Sequence, residues 1–489
     1  MLNYSDEKII DGVLDEFGKI AQIPRPSGHE KKVSDYLLKA FEELGCKVHQ
    51  DESYNIIADL SATAGRENAP TIIMQAHMDM VCVAAPGVKY DPLTDSIKLI
   101  RTDDILTADG TSLGGDDGIG IAEILFIMKN LKEHGPLRAI ITVDEERGMS
   151  GAINLDEKYL KDAQYLINCD SENYDELTVG SAGSVNIDFN RKLTFEKPQG
   201  AHAYRLHING MKGGHSGMEI NAGRGNAIRT MALVLNALDE AGIAFELSSL
   251  TGGKARNAIP AEAEAIISVL VDKDNLSEII ESEKAIYLDK YGATDGGISI
   301  ELEEVAMPDK VMSTEDRDSI VKLIILLHSG VYAMSQVAPS LVETSENLGM
   351  VSMINDAEII NMKCLPRSSV DSKVDEFVLQ ADILAELTGF TAVIGTKSPG
   401  WKENVNSRLA KLMKQIFDEQ NSSPMKVETI HAGLECGWHL KKNPELDIVS
   451  IGVTTIDIHS PEEKLVLSTI PPQGRLICET IKRLSQDQK

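Results

Sequence analysis

The sequence predicts an α/β protein. It reads as a mostly parallel sheet flanked by helices, in a domain made of two pieces with an α+β domain inserted between them. Three observations carry this. Over residues 1–184, apolar strand-like runs alternate with amphipathic helical stretches. From about Gly183 the strands turn to polar alternation, as in a sheet with one face in water. After "KSPGW" (397–401) the first texture returns. The predicted domains are 1–184, 185–396 and 397–489. A chain of 489 residues is too long for one core, since domains run to roughly 100–200 residues.

In chain order, "MLNYSDEKIIDGVLDEFGKI" reads as an amphipathic helix and lacks the apolar core of a signal peptide. Ser27 and Glu30 predict a capping box opening a helix over "HEKKVSDYLLKAFEELG". "YNIIADL", "TIIMQ", "LRAIITV" and "YLINC" predict strands, with a helix over "GIGIAEILFIMKNLKEHG" that Gly135 stops. In the insert, "SVNIDFNRKLTF", "AYRLHING" and "AEAEAIISVLV" predict strands and "GNAIRTMALVLNALDEAG" a helix. A helix over "NSRLAKLMKQIFDEQ" and a strand at "DIVSIGV" close the chain.

The 48 basic and 76 acidic residues leave a net charge of −28, which repels nucleic acid and anionic membranes. No apolar run approaches the ~18 residues that span a bilayer. Six scattered cysteines include no C-x-x-C, which points to a reducing cytoplasm without disulfides or thiolate zinc sites.

Several predicted strands run into metal-capable side chains. "TIIMQ" leads to His77 and Asp79, "LRAIITV" to Glu145 and Glu146, "YLINC" to Asp170, and "DIVSIGVTTIDIH" to His459. Asp116, in "SLGGDDGIG", immediately precedes a helix. The carboxyl ends of parallel strands line the crevice where open α/β sheets bind ligands. One such carboxylate is ordinarily a turn residue. The recurrence of His, Asp, Glu, Asp and His at successive element ends suits two divalent metals, zinc first, with manganese or cobalt as alternatives. Two such ions, three carboxylates and one hydroxide make a neutral site. Without metal the carboxylates would repel one another. "GGDDG" lacks the G-x-G-x-x-G spacing of a dinucleotide loop.

Of the adjacent pair Glu145 and Glu146, one acid can bind metal while the other takes a proton from water, whose pKa a metal lowers to ~7. Asp79, two residues beyond His77 in extended chain, faces the same way and can orient its ring.

"AHMDMV", "TSLGGDDGIGIA", "VDEERGMSGA", "NCDSE", "GGHSGMEI", "ARNAIP", "HAGLECG" and "DIHSPEE" together resemble the aminoacyl-histidine dipeptidases, also called Xaa-His or cytosol nonspecific dipeptidases. These are relatives of carnosinases and carboxypeptidase G. The likeness spans nearly the whole chain. It implies that Asp116 bridges two metals, that His77 and Asp170 complete one and Glu146 and His459 the other, that Glu145 is the general base, and that Asp79 orients His77. It implies a cis peptide after Asp116, and here Asp117 stands where relatives often carry Asn. In the insert, it implies that His215 polarises the scissile carbonyl, that Asn257 contacts substrate, and that Arg367 grips the peptide's C-terminal carboxylate. Glu435 is the candidate for the free amine, and His431 is given no role. The expected activity is cytoplasmic hydrolysis of unblocked dipeptides, Xaa-His among them, by a monomer or homodimer. The alternatives are a deacylase of N-acyl amino acids and a non-catalytic metal or peptide binder.

Overall fold

The computed structural model describes residues 4–335, 341–354 and 358–486. The chain forms two compact units. One comprises Met1–Ser181, Trp401–Thr429 and Leu434–Lys489; the other comprises Ala182–Gly400 and Ile430–Gly433.

The first unit is built on an eight-stranded sheet. Its centre is parallel: Leu137–Thr142, Thr71–His77, Ala163–Asn168 and Asp447–Ser450 lie side by side in that order. Ile56–Leu60 and Glu176–Ser181 pair antiparallel on the two sides of this centre. The central strands Thr71–His77 and Leu137–Thr142 are buried almost throughout, as strands covered on both faces must be. Helix Gly115–Asn130 buries nearly every side chain, so its apolar residues run all round rather than along one stripe. The helices Asp6–Ala21 and Ile470–Leu484 add their apolar faces to the same core. Helix Asp6–Ala21 is capped by Ser5, whose hydroxyl accepts the Lys8 N–H.

The expected capping box at Ser27 and Glu30 does not form. Helix Lys31–Glu43 has no side-chain cap. Ser27 instead donates its hydroxyl to Asp79 Oδ2 at 2.8 Å, and Glu30 accepts the Gly28 N–H. A buried carboxylate is the stronger acceptor for a hydroxyl, and it takes Ser27 away from the helix end.

The second unit has its own eight-stranded sheet, antiparallel in every pair described, backed by helices Ala227–Glu240, Lys273–Asp295, Thr314–Leu326 and Asp371–Thr388. Strand His202–Asn209 alternates buried and half-buried positions, as the polar alternation of its sequence predicts. A four-stranded sheet orders Gly330–Met334, Val342–Glu346, Arg367–Ser368 and Gly183–Ser184. A two-residue ribbon pairs Gly214–His215 with Ala258–Ile259. All six cysteines are free thiols. Among the described residues, no helix is long and apolar enough to cross a membrane.

Candidate active site

His77 is the last residue of strand Thr71–His77, in register with Thr142 of the neighbouring strand. Two residues beyond Thr142 the chain turns through Asp144, in the left-handed region at φ 59°, into the short helix Glu145–Gly148. Asp170 follows strand Ala163–Asn168. Asp116 sits where the loop after Gly114 enters helix Gly115–Asn130, and its peptide to Asp117 is cis. His459 comes from a loop near the carboxyl end, with φ 58°. Strand ends, two helix starts and a loop thus deliver these side chains to one place in the first unit.

His77 Nε2 stands 3.0 Å from Asp116 Oδ1 and 3.4 Å from Asp170 Oδ1. His459 Nε2 stands 3.2 Å from Asp116 Oδ2 and 2.8 Å from Glu146 Oε1. The two oxygens of Asp116 therefore serve two different imidazoles. In each of the groups His77–Asp116–Asp170 and Asp116–Glu146–His459, the candidate ligand atoms lie within 4.8 Å of one another. Histidine nitrogen with carboxylate oxygen is the donor set of divalent zinc, manganese or cobalt, and a carboxylate with one oxygen in each group can bridge.

The electrostatics fit the same occupant. Burial pushes Asp170 up to about 8 despite His77, and it holds Glu145 and Asp117 well above the usual carboxylate range. Burial also opposes the charge on Asp116, but His459 and His77 outweigh it and keep that carboxyl low. Asp116 and Glu146 in turn raise His459 to about 10. Crowded, buried carboxyls that resist ionisation call for added positive charge.

Asp79 is fully buried, and its Oδ1 lies 3.4 Å from His77 Nδ1. It also accepts the backbone N–H groups of Glu145 and Glu146. Asp117 accepts the His77 N–H at 3.2 Å. Burial favours the protonated form of Asp117, in which it would offer an acceptor and a donor as an Asn does. Glu435 has no exposed surface. Its Oε2 accepts from Gln75 at 2.5 Å and Thr142 at 2.7 Å, its Oε1 has no partner among the described residues, and burial raises its carboxyl to about 7.

His215, Asn257 and Arg367 lie in the second unit. Nδ1 of His215 accepts the N–H groups of Gly217 and Met218, so a neutral ring carries its proton on Nε2. Burial, then Arg367, lowers its pKa. Asn257 is exposed beside it, its carbonyl accepting the Ser216 N–H at 2.8 Å. Arg367 is buried, in register with Ser345 and Ser184, and its Nε has no partner among the described residues. Burial lowers this guanidinium to about 10. His431 belongs to the same cluster: Nε2 meets Ser345 Oγ at 2.6 Å, and burial with Arg367 nearby holds the ring down to about 3. Its sequence signal was only a histidine in a short stretch far from the insert.

Two buried charges escaped the sequence reading. Arg25 donates to the carbonyls of Met78 at 3.0 Å, Asp79 at 2.9 Å and Gly114 at 2.5 Å. Glu463, in "SPEEK", faces the same glycine loop. The signal for Arg25 was faint, a cation in the loop after the first helix. For Glu463 it was an acid just past the last ligand.

Residues 206–295 match the family model of the M20 peptidase dimerisation domain. The chain is 35% identical over 473 residues to the cytosol non-specific dipeptidase of Escherichia coli K12, covering 96% of this chain and 97% of that one. The chain belongs to the cytosol non-specific dipeptidase family. It is a metallo-dipeptidase, a hydrolase of peptide bonds. The crystal structure of aminoacylhistidine dipeptidase from Vibrio alginolyticus superposes on the enzyme with a TM-score of 0.87 at 32% identity, over 98% of this chain and 97% of that one. Human carnosine dipeptidase 1 shares the fold, with a TM-score of 0.52 at 13% identity over 99% of this chain and 100% of that one.

Proposed function

We propose that the enzyme hydrolyses unblocked dipeptides, Xaa-His among them, with two divalent metal ions, zinc first and manganese or cobalt as alternatives. The observation that carries this reading is Asp116, whose two oxygens face His77 and His459 separately. His77 and Asp170 would hold one ion and Glu146 and His459 the other, with Asp116 between them. Bound there, the ions supply Lewis acidity and bring the pKa of water to ~7.

The protein's own groups do the rest. Glu145, whose carboxylate also lies in a candidate group with His77 and Glu146, is assigned the base: it takes a proton from the attacking water and returns it to the leaving amine. Burial holds its carboxyl well above the usual carboxylate range, which favours its taking up a proton. Asp79 steadies the His77 ring and the Glu145–Glu146 turn together. His215 presents Nε2–H to the scissile carbonyl oxygen, and Asn257 beside it contacts the peptide. Arg367, buried with no acidic partner among the described residues, receives the C-terminal carboxylate. Glu435 supplies negative potential for the substrate's free ammonium group. The second unit serves as the lid. The match to a dimerisation domain favours a homodimer over a monomer, and the free cysteines favour the cytoplasm.

The test is a turnover assay on the metal-free protein with zinc or manganese restored. The panel holds a dipeptide such as Ala-His, its N-acetyl form and its C-terminal amide. Hydrolysis of the unblocked peptide, with both blocked forms poor, supports the reading. Preference for the N-acyl compound replaces it with a deacylase, and metal or peptide binding without turnover replaces it with a binder.

A further inference from the structure

Glu463 is 2% exposed, yet its carboxylate is surrounded by donors. Oε2 accepts the N–H groups of Leu113 at 2.7 Å and Gly114 at 3.0 Å. Oε1 accepts those of Gly115 at 2.8 Å and Asp116 at 3.4 Å. All four are consecutive backbone donors of the loop that ends in Asp116. The last two come just before the helix proper, since the backbone at Asp116 and Asp117 is non-helical, so their N–H groups have no intrahelical acceptor. A glycine-rich loop at a helix start is the usual cradle for an external anion. Here the anion is a side chain of the same unit.

Arg25 grips the loop by its carbonyl while Glu463 grips it by its amides, both acting on Gly114. That is why the run is glycine. At Gly114, with φ +68°, a Cβ would lie 2.5 Å from Arg25 Nη2, and at Gly115 it would lie 3.1 Å from Glu463 Oε1. Glu463 lies in the same loop as His459, whose ring faces the other oxygen of Asp116. The loop that brings one ligand thus carries the carboxylate that seats another.

We propose that Glu463 is a positioning residue: it holds the Leu113–Asp116 backbone in its ligand-ready form before any metal binds, and keeps Asp116 and His459 in mutual register. This rests on the reading of those two residues as metal ligands. A helix cap needed only for folding would fit the same hydrogen bonds, so the test must read more than stability.

Hydrogen exchange of the metal-free wild-type enzyme, followed by mass spectrometry over residues 111–118, is the first measurement. Protection of the 113–116 amides without metal is expected. Rapid exchange that slows only when zinc is added would overturn the proposal. The second measurement is zinc titration of metal-free Glu463→Gln. The amide keeps the shape but turns an NH2 group toward backbone donors. Zinc affinity should weaken about 10–100-fold, as when partners of metal ligands are lost. The kcat of the zinc-loaded variant should fall with KM little changed. Wild-type affinity for two zinc ions in the variant would overturn the proposal. If Glu463→Gln does not fold, zinc titration of Glu463→Asp takes its place: weakened zinc affinity supports the proposal, and wild-type affinity for two zinc ions overturns it. Neither exchange nor zinc titration needs turnover, so an enzyme that seats zinc this way yet ignores dipeptides would sink the substrate reading and leave this one standing.

Discussion

Asp79 holds Glu145 by its backbone: Oδ1 of Asp79 accepts the Glu145 N–H at 3.0 Å. Oδ2 takes the next N–H, that of Glu146, at 3.2 Å and the Ser27 hydroxyl at 2.8 Å. One buried carboxylate therefore fixes the turn on which the proposed base and a proposed ligand sit side by side. Burial opposes its charge, but His77, Ser27 and the Glu145 amide outweigh that and hold it at about 2, so it stays an acceptor across the working pH range.

Because the turn is held through its backbone, replacing the Glu145 side chain should leave the site standing. Glu145→Gln is expected to keep its metal and its melting temperature while kcat falls about 10²–10⁴-fold, the usual contribution of a general base. Metal analysis alongside steady-state kinetics checks this. Near wild-type turnover with full metal would move the base elsewhere.

Arg367 should separate a free acid from its amide. The wild type is expected to favour a dipeptide over its C-terminal amide, because the amide leaves a buried guanidinium without its anion. Arg367→Ala should remove most of that preference without changing metal content. The measurement is kcat/KM for acid and amide in both proteins, and an undiminished preference in the variant would reassign the carboxylate site.

Glu346 lines a small cavity with His328, Tyr332 and Phe377. Burial raises it from 4.5 to about 8, although Arg229 opposes the shift. The folded chain thus keeps a proton that the unfolded chain gives up, and its stability falls as pH rises from about 4.5 to 8. Glu346→Gln is expected to raise the melting temperature by about 2–6 °C at alkaline pH and to change it little near pH 4. A calorimetric gain that is the same at both ends would show that Glu346 is not the titrating group.

His439 carries the opposite sign. Its ring is fully buried, neither nitrogen has a partner among the described residues, and burial with Lys442 nearby lowers it to about 3. The stability of the neutral form is complete above the unfolded value of 6.5 and is lost as pH falls toward 3. His439→Leu should stabilise the fold by about 1–3 kcal/mol at neutral pH, the cost of leaving buried polar atoms unpaired, and by more at pH 5. Urea melts at the two pH values test it, and a variant less stable at pH 5 than the wild type would contradict it.

The candidate ligands His77, Glu146 and Asp170 were legible because each comes soon after an apolar run that reads as a buried strand, and parallel strand ends converge. Strand direction was less legible. Ile56–Leu60 is as apolar as its parallel neighbours but pairs antiparallel, and burial on both faces erases the alternation that would distinguish it. The second shell was hidden for another reason. Arg25 and Glu463 act on backbone atoms, so no partner side chain marks them in the sequence. Ser27 misled because a hydroxyl three residues before a Glu looks like a cap until a stronger acceptor, 52 positions away, competes for it. His431 joins Arg367 and Ser345 only through a short return of the chain, residues 430–433, into the second unit.

Strand Asp447–Ser450 lies between Ala163–Asn168 and Glu176–Ser181 in the sheet. During translation those two neighbours leave the ribosome with an empty slot between them, and more than half of the chain must still be made before it is filled. At about 5–20 residues per second the wait is on the order of tens of seconds, with two strand edges unpaired and His459 not yet synthesised. The unfinished chain carries the hazard of unpaired edges and lacks one of its proposed ligands. With His459 as a ligand, a hydrolase built this way cuts no peptide bond before nearly all of its own have been made.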